Sequence, residues 1–67
     1  MPTPLCLSEA LESVKRLNEV AIFCLGKAAR ATNHTQRSYW ISNHELNVRW
    51  REDALANAIG WAERGEG

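Results

Sequence analysis

The sequence has no proline beyond position 4. Proline removes a backbone donor and clashes with the preceding turn of a helix, so its absence leaves every later residue free to be helical. Cysteine is scarce as well. Cys6 and Cys24 stand eighteen positions apart, which on one helix is five turns and about 27 Å. A disulfide spans at most ~7 Å between Cα atoms, so no intrachain bridge is expected. Two reduced thiols in an intracellular chain is the simple reading, and a bridge between two chains of an antiparallel dimer is the alternative.

Long hydrophobic runs are missing too. The longest, Val20-Ala21-Ile22-Phe23-Cys24-Leu25, is far short of the ~20 apolar residues of a membrane span. Residues 1–7 have neither the basic start nor the apolar stretch of a secretion signal. A cytoplasmic protein with no membrane partner is expected, and Asn33-His34-Thr35 then matches the glycosylation pattern by chance. Net charge is also absent, with eight basic and eight acidic residues. A nucleic-acid binder normally carries a clustered basic excess that displaces counterions, so no nucleic-acid partner is expected.

Chemistry-bearing constellations are equally thin. There is no glycine-rich phosphate loop and no acidic metal cluster. Cys24 with His34 or His44 could form a nucleophile pair, but Cys24 falls among apolar residues, where a neutral and inert thiol is expected. Cys6, Cys24, His34 and His44 could supply four zinc ligands, yet no two share the usual short ligand spacing. The sequence therefore predicts a protein that is not an enzyme and has no cofactor.

What the chain does have is helical periodicity. Its 67 residues make one domain, 1–67, of a size that buries only about 60% of its unfolded surface. Such a core is marginal without a disulfide, a metal or a partner. Ser8 is a good N-cap, Glu9 and Glu12 follow where the helix dipole favours acids, and Lys27 and Arg30 lie where it favours cations. Helix 1 is predicted over about 8–31. Gly26 inside it is either a tolerated imperfection or the mark of a closely approaching helix. Asn33-His34-Thr35-Gln36 is the strong break, and helix 2 is predicted over about 36–64, with Thr35, Ser38 and the capping-box pattern at Ser42-Asn43-His44-Glu45 as possible starts. A short connection between two long helices predicts an all-α, antiparallel two-helix hairpin.

At 100° per residue the two helices divide their faces differently. Leu7, Ala10, Leu11, Val14, Leu17, Val20, Ala21, Ile22, Cys24, Leu25 and Ala28 share a wide apolar arc of helix 1. Glu12, Arg16, Glu19 and Lys27 oppose it, with Phe23 among them. An aromatic ring on a charged face points to a partner contact. On helix 2, Ile41, Val48, Leu55, Ala58, Ile59 and Ala62 form an aliphatic stripe with Trp40 at its margin. Tyr39, Leu46, Trp50, Ala54 and Trp61 form an aromatic one, and His44, Asn47 and Arg51 lie between. One helix cannot cover both stripes. If helix 1 packs on the aliphatic stripe, the aromatic stripe is left for another chain, and a homodimer with a four-helix arrangement is the simplest cover.

Tyrosine, tryptophan and arginine dominate binding hot spots because they offer large contact area with few rotors to freeze. Tyr39, Trp50, Arg37, Phe23, Trp40 and Arg51 are accordingly the candidate partner-binding residues. Arg51 reads either as a snorkelling side chain at a dimer rim or as the anchor of an external carboxylate. Trp61, near Ala54 and Ala58, reads as a core filler.

In length, in hairpin plan and in Arg37-Ser38-Tyr39 at the start of helix 2, the chain resembles the small helical-hairpin proteins that bacteriophages use to disable host regulators, such as the quorum-sensing anti-activators. That resemblance implies a dimeric hairpin that binds a LuxR-type transcription factor and the ATPase of type IV pilus assembly, with Tyr39 in the position of a partner-contacting tyrosine. The family's tryptophan within two turns of that tyrosine has no direct counterpart here. Position 45 is Glu45, and Trp40 and Trp50 are the nearest indoles. The expected function is inhibition of a bacterial host protein from within the host cytoplasm. The rival is a dimeric antitoxin or small transcriptional regulator, for which Lys15, Arg16, Lys27, Arg30 and Arg37 are too dispersed to form a DNA-binding arm.

Overall fold

The computed structural model describes residues 5–65, and they form two helices and their connection. α1 runs Leu7–Arg30 and α2 runs His34–Glu63. Contacts between them proceed in opposite chain order. Arg37 reaches Ala31, Phe23 meets Trp40, His44 meets Ala21 and Arg51 meets Asn18. The helices are therefore antiparallel, as the short connection requires.

The ends differ slightly from the expected ones. α1 begins at Leu7, one residue before the Ser8 cap implied by its side chain, and the cap position is Cys6 with no side-chain hydrogen bond. α2 begins at His34, earlier than Thr35 or Ser38, because Asn33 accepts a 2.8 Å hydrogen bond from the backbone N–H of Gln36. That bond satisfies one of the donors a helix start leaves unpaired. The break residue is thus itself the cap. Arg37 closes the other side of the connection by donating to the carbonyl of Ala31 at 3.2 Å. Gly65, at φ 73°, ends the helix in the left-handed conformation that glycine adopts without strain.

The helices meet along two lines whose spacing alternates four and three. In α1 the line is Ala10, Val14, Leu17, Ala21, Cys24, Ala28, followed by Ala31. In α2 it is Trp40, His44, Asn47, Arg51, Ala54, Ala58 and Trp61. Of these, Ala10, Leu17, Ala21, Cys24, Ala28, Asn47, Ala54 and Ala58 are buried. This is the seam of an antiparallel coiled coil. Small side chains along such a seam favour close approach of the helix axes.

The expectation that α1 packs on the aliphatic stripe of α2 is thereby corrected. α2 turns the polar line between its two stripes toward α1, and Ile41, Leu55 and Ile59 stay exposed. Two physical reasons favour this orientation. It sets Ala54 and Ala58 against the alanines of α1, and it half-buries all three indoles along the margins of the seam. The polar residues are also satisfied inside the hairpin. His44 Nδ1 lies 2.8 Å from the Ala21 carbonyl, which only accepts, so Nδ1 carries the ring proton. Asn47 donates to the Asn43 carbonyl at 2.8 Å, and Arg51 Nη1 donates to Asn18 Oδ1 at 2.7 Å. Among the described residues no buried side-chain polar atom lacks a partner.

Gly26 does not mark a close helix approach. A Cβ built there meets only the flexible guanidinium of Arg30, at 3.8 Å. Gly26→Ala should raise stability by about 1 kcal/mol and Tm by ~4–8 °C in a thermal melt followed by circular dichroism. An unchanged or lowered Tm would mean that the position faces something the hairpin alone does not contain.

Candidate protein-binding surfaces

A seam built on alanine supplies little driving force. Full burial of a leucine stabilises by about 1.5–3 kcal/mol, whereas one methyl contributes ~0.8 kcal/mol. Leu17 is the one large aliphatic side chain among the buried described residues. The bulk of the hydrocarbon lies outside, on two sides of the hairpin.

One side is aliphatic and comes from both helices. Leu11, Ile22 and Leu25 of α1 and Ile41, Leu55 and Ile59 of α2 are exposed there, and a groove of about 260 Å³ lined by Leu25, Ala28, Ala29, Arg37 and Ile41 joins them near the turn. The Asn18–Arg51 hydrogen bond crosses the middle of this side.

The other side is aromatic. The ring of Phe23 meets Trp40 edge-on at 6.0 Å, and Tyr39 meets Trp40 edge-on at 5.1 Å. Lys27 Nζ lies 5.5 Å from the centre of the Phe23 ring, within reach of a cation–π attraction. Phe23 and Tyr39 are 57% and 60% exposed. Phe23 of α1 and the adjacent Tyr39 and Trp40 of α2 thus make one patch. Beside it is a groove of about 500 Å³ lined by Lys27, Arg30, Ala31, Thr35, Gln36, Tyr39 and Trp40, a size within the ~300–1,000 Å³ of typical binding clefts.

The candidate residues therefore divide. Phe23, Tyr39 and Trp40 come together. Trp50 lies further along α2, half-buried, about 15 Å from Trp40 by helical rise. Arg37 faces the aliphatic groove and is tied to the Ala31 carbonyl. Arg51 is part-buried, donates to Asn18 Oδ1 at 2.7 Å and lies 3.4 Å from the exposed Glu52 carboxylate. Trp61 is half-buried, with the Arg64 guanidinium 4.2 Å from its ring. Lys27, Arg30, Thr35 and Gln36 line the main groove without having been singled out. Lys27 had a legible signal, since it follows Phe23 by four residues and must share its face.

Charge is unevenly spread along the hairpin. Residues 20–44, its turn half, hold Lys27, Arg30 and Arg37 and no acid. The remainder holds five basic and all eight acidic residues, so the overall zero separates into +3 near the turn and −3 toward the chain ends. Among the described residues the one ion pair is Arg51–Glu52, so Lys27 and Arg30 have no carboxylate partner. Also among the described residues, no helix is long and apolar enough to cross a membrane, and no group of three His, Cys, Asp or Glu side chains is placed to hold a metal. Both cysteines are free, Cys24 buried in the seam.

No family model, curated protein or solved structure matches this chain.

Proposed function

We propose that the chain is a protein-binding module that pairs with a second copy through its aliphatic side and holds a bacterial host protein on its aromatic side, as an inhibitor of phage type in the cytoplasm of the host. Binding rather than catalysis is the work of its surface. The observation that carries this reading is the inversion of the hairpin, with alanines and hydrogen-bonded polar groups inside and large hydrocarbon outside. Exposed apolar patches of this extent usually mark interaction sites.

Areas support the pairing. The accessible surface is 4842 Å², above the roughly 4,300 Å² of a compact monomer of this mass. A side measuring 48 by 16 Å has a footprint of roughly 770 Å², close to the ~800 Å² that each partner contributes to a standard interface. Two hairpins joined on that side make a four-helix arrangement and leave Phe23, Tyr39 and Trp40 outward.

The host-protein half is tested by affinity capture from bacterial lysate with wild-type and Tyr39→Ala chains side by side. Tyr39→Ala should keep its helical circular dichroism and lose most of the specifically retained protein. Equal retention by both chains sinks the assignment of this face, and loss of helicity in the variant makes Tyr39 a structural residue instead.

A further inference from the structure

From the groove at the turn we infer the chemistry of the partner: an acidic segment of polypeptide in which carboxylates alternate with apolar side chains. This deepens the docking reading above and rests on it. The groove has two kinds of wall. Lys27 and Arg30 supply charge on one side, and Tyr39 and Trp40 supply ring surface on the other. Cations at the C-terminal end of α1 are expected from the helix dipole alone. The dipole does not account for the absence of every acid from residues 20–44, nor for an aromatic wall beside cations that have no carboxylate partner among the described residues.

A peptide carboxylate would take Lys27 or Arg30 in a charge-assisted hydrogen bond. The next apolar side chain would cover the exposed ring of Tyr39 and the half-buried one of Trp40. The positive end of α2, whose first turn holds no acid, adds attraction of the same sign. A nucleic acid fits less well. It would find rings for stacking, but only two cations in the groove, and any strand longer than the groove would run onto the half of the hairpin in which acids outnumber bases.

Nitrogen-15 NMR of the full chain, titrated with three probes, tests this. The probes are an amidated peptide of about ten residues alternating glutamate and leucine, its lysine-for-glutamate twin, and a single-stranded DNA of about ten nucleotides. The acidic peptide should shift the backbone signals of Lys27, Arg30 and Tyr39 and the indole of Trp40, leaving Trp61 in place. Lys27→Gln with Arg30→Gln, both exposed positions, should weaken it about tenfold with helicity unchanged, and raised salt should do the same. Equal shifts with the lysine twin, tighter binding of the DNA, or no shift with the acidic peptide would each overturn the inference. Because capture by Tyr39 is measured separately, a retained host protein with no acidic-peptide binding removes only the partner's charge, whereas loss of both removes the docking face.

Discussion

Glutamate placed at Leu25 and Leu55 together should leave the helical content unchanged and convert a pair of 7.6 kDa chains into single ones in sedimentation equilibrium. Leucine and glutamate have similar helix propensity. On an isolated hairpin these positions are 52% and 41% exposed, so each change costs within about 0.5 kcal/mol there. Between two hairpins the carboxylate at 55 would be buried away from water, at several kcal/mol, and the one at 25 would have beside it only Arg37, which is already tied to the Ala31 carbonyl. Two-fold symmetry places every change in the interface twice. The dissociation constant should rise by at least about 1,000-fold. A wild-type chain that sediments as a single hairpin, with a Tm independent of concentration, would remove the pairing.

The second large effect is inside the seam. Ala21 is 1% exposed and its carbonyl is bound by His44. Ala21→Leu drives a branched side chain into a gap sized for a methyl and separates His44 from its acceptor. Overpacking of this kind costs typically about 1–3 kcal/mol, so Tm should fall by about 5–20 °C. Ile22→Ala, at the next position and 62% exposed, deletes most of a large side chain and should cost the single hairpin far less. A thermal melt of both variants at low protein concentration compares them. If Ile22→Ala is the more damaging of the two under those conditions, the seam has been placed on the wrong line of α1.

That contrast also shows how far the residues alone could be read. Both helices, their antiparallel hairpin and the burial of Cys24 followed from periodicity and from the single break at residues 33–36. The facing of α2 did not. Sorting α2 by hydrophobicity picks out Ile41, Val48, Leu55 and Ile59 and assigns His44, Asn47 and Arg51 to the space between stripes. The seam is written instead in spacing, four and three from Trp40 to Trp61, through residues of mixed polarity. Apolarity is a poor guide where alanine permits close approach and each polar group has an acceptor or donor a few ångströms away. The aromatic patch was half legible. Phe23 stood out as a ring on a charged face, and Tyr39 and Trp40 stood out as hot-spot residue types, but their meeting depends on the register between helices. Lys27, Arg30, Thr35 and Gln36 became groove-lining residues only once that register was set.

The separation of charge along the hairpin has a consequence for how two such rods can lie together. A body 48 Å long, cationic at one end and anionic at the other, is an electric dipole lying lengthwise. Side by side with like ends matched, two copies repel. Reversed, each sets its turn against the other's termini, and Arg37, which already faces the aliphatic groove, is the cation best placed to meet the mate's acids. Attraction of that sort reaches only about 8 Å in physiological salt. In the proposed pair it would therefore select the direction of assembly at the last approach, while hydrocarbon would hold the two copies together.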